Sequence, residues 1–416
     1  MAKLNEWLVR PQRRLGALGL LILLVMASLV APLSLDMYTP AVPGMASYFD
    51  TTPETVNFTL VGYYLFLAVG LLVFGPLSDK YGRRPVLIAG LAAYCAPSVA
   101  CALAPAIEVL VAARVVQALG SGAMSAVSMA VVKDAVRLEY RERMLAVMQV
   151  MFVIGPVAAP IVGAAILQFA DWRATFWVLA VTAAVELVLA LLYEETLDSA
   201  QRTHESVPRS LARLGHIGKN VAFMVFLFVT SAFEVAYMGY VSVGSYVYMD
   251  MFGFSAFGYS LFFAACAVTS AIGPLFWLKA SKHTTVKRFT SISLVVSLAL
   301  GLAVLAVGHS SAFVFCALFL LFAFFEATVR PYSVNVLLSQ YDTDAGSASS
   351  LINFMRTFTG CAGMVLVMLP WSDYLVAVGM MMALGMVASL IGWALLLRSH
   401  LTLRGVKDTA REESLL

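Results

Sequence analysis

Charge is what this chain has least of. Of its 416 residues only 12% are Asp, Glu, Lys or Arg, 61% are hydrophobic, and the mean hydropathy is +0.88. A soluble domain carries about 25% charged residues. A chain this poor in charge cannot cover a water-facing surface, which excludes a soluble enzyme and leaves no nucleic-acid surface to expect. Cysteine is scarce too. Cys95, Cys101, Cys266, Cys316 and Cys361 are odd in number, lie in apolar runs and lack metal-ligand spacing, so they read as small core residues and no metal is expected. The chain also lacks a Walker-type phosphate loop, a nucleophile constellation and a haem motif. No catalytic residue and no cofactor is expected, and uphill work must draw on a gradient, most simply of protons.

What is present is a dozen apolar runs, each near the roughly 20 residues that cross a bilayer. They fall at 16–40, 55–79, 85–104, 107–133, 144–168, 172–193, 220–249, 255–280, 287–308, 311–339, 346–369 and 373–398. A cleaved signal peptide competes for residues 1–35, but the run is too long for one, so it is assigned as the first span. Cytoplasmic loops retain positive charge. Lys3, Arg10, Arg13 and Arg14 precede the first span, Lys80, Arg83 and Arg84 follow the second, and further clusters follow the fourth, sixth, eighth and twelfth, whereas the opposite side receives only Arg173. Both termini are therefore expected in the cytoplasm, which requires an even number of spans.

The polar stretch 194–219 divides the spans into two sets of six. The expected domains are an N-terminal six-helix bundle at 1–193, a cytoplasmic linker at 194–219, a C-terminal six-helix bundle at 220–398 and a cytoplasmic tail at 399–416. Gly75-Pro76-Leu77 at the end of the second span recurs as Gly273-Pro274-Leu275 at the end of the eighth, 198 residues later, as a duplicated half requires.

The segment "GPLSDKYGRRP" from Gly75 to Pro85 has the parts of a tight cytoplasmic turn. Gly75 and Gly82 allow close approach and turning, Asp79 can accept from a neighbouring helix N-terminus, and Arg83 and Arg84 hold the turn. It resembles the signature loop of the major facilitator superfamily. "RVVQALGSG" from Arg114 resembles the fourth-helix motif associated with proton transfer, and "GPVAAPIVG" at Gly155 to Gly163 resembles the fifth-helix motif of antiporters. "LDMYTPAVP", "AVVKDAVR", "WRATFW" and "AGSASSL" resemble the bicyclomycin and chloramphenicol resistance (Bcr/CflA) branch of drug:proton antiporters. The resemblance implies an all-α membrane protein of 12 transmembrane helices, two six-helix bundles around a central cavity. On its residues alone, helix five offers Gly155, Pro156, Pro160 and Gly163 either as a kinkable surface for rocking or as a small-residue packing face.

Asp36, Arg114, Glu186, Glu234, Glu326, Arg330 and Arg356 fall inside the spans, and buried charge marks a functional candidate. Asp36, near the outer end of helix one, and Arg114, two turns into helix four, could share a depth. The pair is either a proton-exchanging carboxyl group with its modulator or a static salt bridge. Pro40 and Pro43 are expected to bend or end the helix after Tyr38. The resemblance implies that the helix-one acid and the helix-four Arg couple transport to protons, here Asp36 and Arg114, with Gln117 as companion. Glu234 on helix seven precedes Tyr237 and Tyr240, a setting for a lipophilic cation; Tyr246 and Tyr248 fit an interfacial belt. Glu326 and Arg330, spaced i, i+4, form a charge cluster with Arg356, with Asn335 and Asn353 as polar neighbours, serving as a substrate determinant or a structural pair. Tyr38, Tyr63, Tyr64, Met151, Phe354 and Phe358 are the remaining candidates for a binding wall. Glu186 reads as structural or snorkelling, since the resemblance makes helix six peripheral.

The expected function is proton-coupled efflux of amphipathic drugs or toxic small molecules by alternating access, from the inner membrane of the cell, by a chain whose default state is a monomer and whose partners are substrate, H+ and the bilayer. The rivals are an uptake symporter or facilitator for a metabolite, and a non-transporting sensor or assembly factor on a transporter fold.

Overall fold

The computed structural model describes residues 6–202, 215–341 and 345–406. Residues 203–214 of the expected linker, 407–416 of the expected tail, and Lys3, Arg209, Arg213, Lys407 and Arg411 lie outside the described residues. Twelve long helices are found among the described residues: α1 (Gly16–Asp36), α2 (Pro53–Tyr81), α3 (Arg83–Ala102), α4 (Ile107–Ala135), α5 (Leu138–Ile166), α6 (Arg173–Leu192), α7 (Val221–Ser245), α8 (Ala256–Ala280), α9 (Val286–Val307), α10 (Ala312–Leu338), α11 (Ala345–Leu366) and α12 (Tyr374–Arg398). Eleven are long and apolar enough to cross a membrane. The other, α11, has 22 residues, about 33 Å of helix, and its apolar character is diluted by Ser349, Ser350, Asn353, Arg356, Thr357 and Thr359.

Helix starts follow local chemistry. Thr52, Asn220, Thr285, Ser311 and Asp373 each accept a first-turn backbone N–H with the side chain, satisfying donors that the helix itself leaves open. Helix one does not run to residue 40. It ends at Asp36, and a 3-10 turn at Thr39–Ala41 leads into a short helix at Val42–Tyr48 with Pro40 and Pro43 in their first turns. Proline is tolerated there because its missing N–H would have had no partner. The interruption thus falls two residues earlier than the prolines alone indicate, immediately after the acid.

Packing divides the chain into two units, Met1–Arg209 with Ala256–Ala264, and Ser210–Ser255 with Ala265–Leu416. In the first, α2 and α3 pack on α4, α3 on α6, and α1 on α5; in the second, α7 packs on α11 and α12, and α9 on α12 and α10.

Candidate functional site

In the first unit, polar and aromatic residues of α2, α3, α4, α6 and the turn after α1 gather around Arg114, which is fully buried. Its Nη1 donates to Gln117 Oε1 at 2.7 Å, and Gln117 Nε2 donates to Ser98 Oγ at 2.7 Å. The guanidinium carbon lies 4.0 Å from the Tyr63 ring centre, 4.9 Å from Tyr38 and 5.7 Å from Phe176, within range of cation–π attraction. Tyr38 is fixed by Thr59, hydroxyl to hydroxyl at 2.5 Å. Arg114 Nε and Nη2 have no hydrogen-bond partner by geometry among the described residues. Sequence reasoning found Arg114, Gln117, Tyr38 and Tyr63 but missed Ser98, Thr59 and Phe176, the last because α6 was taken as peripheral.

Asp36 is buried, 4% exposed, and makes no ion pair among the described residues. The static Asp36–Arg114 salt bridge left open by the sequence is therefore not made here. Three aromatic rings and Gln117 surround the guanidinium, and the carboxyl group sits at the last residue of α1. Glu186 does not snorkel: it is 0% exposed, and both carboxyl oxygens lack a partner among the described residues.

The second unit does the opposite with its charges. Arg330 Nη2 donates to Glu234 Oε1 at 2.5 Å, and Arg330 Nε donates to Glu326 Oε1 at 3.0 Å. Arg356 Nη1 lies 3.9 Å from Glu234 Oε1, and its Nη2 donates to Ser333 Oγ at 2.7 Å. The expected Glu326–Arg330 pair is present, and Glu234 joins it, a link across α7 and α10 that no spacing in the sequence reveals. Ser333, not Asn335 or Asn353, is the polar neighbour: the two asparagines are exposed, and neither side chain bonds the cluster among the described residues. Tyr237 and Tyr240 have an aromatic neighbour on the facing helix. They stack on Phe319 of α10 at centroid distances of 6.3 and 3.8 Å. Tyr246 and Tyr248 are buried rather than interfacial, because a π-helical turn at Tyr246–Met251 folds them back toward Tyr374 and Phe315. Phe354 and Phe358 stack on each other at 6.2 Å, Phe358 half exposed; Tyr64 and Met151 are half-buried.

The two acids are related by the repeat. Glu234 follows Asp36 by the same 198 residues that separate the two Gly-Pro-Leu runs. In each unit the residue after the acid presents its backbone carbonyl to a glycine. A Cβ on Gly163 of α5 would overlap the Met37 carbonyl oxygen, and a Cβ on Gly363 of α11 would overlap that of Val235. Gly155 likewise meets the Pro32 ring at 2.6 Å from an ideal Cβ position. The helix-five glycines thus face α1 within their own unit, with Pro156 and Pro160 inside the same helix. Gly363 was missed because it lies in no recognised motif.

At the α2–α3 turn, Gly82 has φ +105°, a conformation that glycine adopts without strain. Arg83 is 5% exposed and donates to Asp79 Oδ1 at 2.5 Å, Ser78 Oγ at 2.7 Å and Asp134 Oδ2 at 2.7 Å. Asp79 does not cap a helix. Glu195 does so, accepting the Arg83 and Arg84 backbone N–H groups at 3.1 Å each, where the helix dipole favours an anion. Arg84 Nη2 donates to the Leu191 carbonyl at 2.9 Å. Gly75 permits no close approach, since a Cβ there would meet nothing within 4 Å; α2 meets α4 at Gly70 instead.

A duplicated bundle of long apolar helices, with a buried acid at the same place in each half, defines a multi-pass membrane protein of transporter type. The sequence profile of the Major Facilitator Superfamily matches residues 24–364, and the chain belongs to that family. It is 32% identical over 249 residues, 59% of this chain and 62% of the other, to an uncharacterized MFS-type transporter, YdgK, of Bacillus subtilis. It is 31% identical over 242 residues, 58% of this chain and 57% of the other, to a chloramphenicol resistance protein of Pseudomonas aeruginosa. Both alignments span less than two thirds of the relative's length. A bicyclomycin resistance protein homolog of Haemophilus influenzae is 26% identical over 350 residues, 80% of this chain and 84% of the other. Among solved structures, a peptide transporter POT in complex with sulfate superposes with a TM-score of 0.75 at 15% identity, covering 95% of this chain and 98% of the other, a likeness of fold alone.

Proposed function

We propose that this protein exports amphipathic small molecules from the cell in exchange for protons, by alternating access, as a member of the bicyclomycin and chloramphenicol resistance branch. In this reading residues 1–193 and 220–398 are the moving bundles and 194–219 is their linker. The chain sits as a monomer in the inner membrane with both termini cytoplasmic. The observation that carries the reading is the asymmetry of the two related acids: Asp36 is buried without an ion pair among the described residues, whereas Glu234 is held by Arg330. The names of the relatives from Pseudomonas aeruginosa and Haemophilus influenzae supply the substrate class.

Asp36 is the proton carrier in this cycle. A carboxyl group without a fixed counter-charge can exchange a proton as its surroundings change, and binding a proton or a substrate in turn gives antiport. Protonation from outside releases the substrate, and deprotonation toward the cytoplasm restores the site. Arg114, held by Gln117, keeps Nε and Nη2 without a hydrogen bond among the described residues, against the rings of Tyr38 and Tyr63. Glu234, Glu326, Arg330 and Arg356 form a charge-balanced cluster within the second unit, which suits polar groups better than an isolated cation. Everted membrane vesicles test the reading. Chloramphenicol added to energised vesicles should drive proton movement and accumulate in the lumen. Transport by the Asp36→Asn variant equal to wild type, still dependent on the gradient, overturns it.

A further inference from the structure

Of the four charged residues on α7, α10 and α11, three are shut away and one is not. The side chains of Glu234, Glu326 and Arg356 are 3%, 4% and 8% exposed, whereas that of Arg330 is 44% exposed. Arg330 lies inside α10, a helix long and apolar enough to cross a membrane. A guanidinium in such a place is unfavourable against lipid tails, and charged groups inside spans line water-filled or substrate pathways. A cation approaching this cluster has no exposed carboxylate to meet, while an anion meets the guanidinium directly.

The way Glu234 is held makes it the partner that can leave. Its Oε1 accepts from Arg330 Nη2 at 2.5 Å, and its Oε2 is buried without a hydrogen bond by geometry among the described residues. Glu326 is held more firmly: its Oε1 lies 3.0 Å from Nε and 2.9 Å from Nη2 of the same guanidinium, one turn away on the same helix. A second arginine stands beside Glu234. Arg356 Nη1 is 3.9 Å from Glu234 Oε1, beyond a hydrogen bond yet within ion-pair distance, while its Nη2 donates to Ser333 Oγ at 2.7 Å. Removing one partner of a buried ion pair is costly because it strands the other charge. Here a replacement cation is already at hand, so Glu234 keeps a counter-charge when Arg330 turns to another anion.

We propose that Arg330 is a specificity-determining residue that binds the carboxylate of an amphipathic substrate, and that Glu234 passes from Arg330 to Arg356 when that carboxylate arrives. The inference rests on the export reading above and names one chemical class within its substrates. Glu326 keeps hold of Arg330 Nε and so positions the guanidinium, whose planar fork matches a carboxylate. A cluster that serves only to hold α7, α10 and α11 together has no reason to prefer an acid over a neutral molecule of the same shape, and this separates the two roles.

The test is equilibrium dialysis of purified full-length protein, corrected with protein-free micelles of the same detergent, using radiolabelled naphthylacetate and its neutral amide, naphthylacetamide. Wild type should bind the carboxylate about tenfold more tightly than the amide, as one charge-assisted contact near solvent provides. Arg330→Gln should bring that ratio to about one, and Arg330→Lys, which keeps the charge, should retain part of the preference. Glu234→Gln should raise the ratio above wild type, because the competing carboxylate is gone, and a gain of this kind does not arise from a folding defect. Arg356→Gln should lower it, because Glu234 then has no second partner. Equal binding of the two probes by wild type, or binding of neither, overturns the proposal. So does a wild-type ratio in Arg330→Gln, or a ratio in Glu234→Gln no higher than wild type. The export reading is scored apart, by chloramphenicol accumulation in energised everted vesicles: its absence from wild type overturns efflux, while the dialysis ratios still decide the role of Arg330.

Discussion

Asp36 and Glu234 stand at matching positions of a duplicated fold, 198 residues apart, each before a carbonyl that packs on a glycine, and the two units treat them differently. The first unit surrounds its acid and its arginine separately, giving Arg114 to aromatic rings and Gln117. The second brings two acids and two arginines within reach of each other. A repeat preserves backbone packing while side-chain partners diverge. One half thereby keeps a carboxyl group without an ion pair among the described residues and the other keeps one whose charge is already balanced.

The comparison is broken most forcefully at Arg330. Its replacement by Ala leaves Glu234 and Glu326 without their shared partner. For a fully buried pair that costs about 3 to 5 kcal/mol; with Arg330 44% exposed, solvent screening reduces this to about 2 kcal/mol. Thermal unfolding in detergent should show the loss, and Glu234→Gln in the same chain should restore part of it. Arg114→Ala should gain nothing from Asp36→Asn, because the two do not pair.

Gly163→Ala and Gly363→Ala should each cost about 1 to 3 kcal/mol, the range for an added carbon in a packed interface. Gly75→Ala, facing open space, should stay within about 0.5 kcal/mol of wild type. Equal behaviour of all three in unfolding assays would show that the matched carbonyl–glycine contacts do not tie each acid's helix to its neighbour. Glu195→Gln removes charge from a helix N-terminus and should cost about 1 kcal/mol. The smallest effect is expected for Asp198→Asn. Arg10 donates to both Asp198 oxygens at 2.8 and 2.6 Å, and this hydrogen bonding holds the Asp198 carboxyl below the usual carboxylate range. The contribution is present at neutral pH and is lost on acidification through the lowered value. Because the pair is exposed, the difference in melting between Asp198→Asn and wild type at neutral pH should vanish in high salt.

Spans, the repeat and the helix-end motifs were legible because hydropathy and small-residue patterns are local in the chain. Arg114, Gln117 and the Glu326–Arg330 spacing were legible for the same reason. The Glu234–Arg330 contact was not, since its residues are 96 apart and nothing in the tyrosines after Glu234 shows that they prefer Phe319. Glu195 was read as part of a polar connection, although its role depends on where α6 delivers it. The snorkelling reading of Glu186 failed because depth along a helix can be read from sequence while the face that meets a neighbour cannot, and the close approach expected at Gly75 failed for that reason as well.

The central claim is that the unpaired acid carries the proton and the paired one does not. Chloramphenicol-induced proton release from purified protein, compared between Asp36→Asn and Glu234→Gln, tests it most directly. Release abolished in Asp36→Asn and retained in Glu234→Gln is the predicted result; retained release in Asp36→Asn with loss in Glu234→Gln contradicts the account.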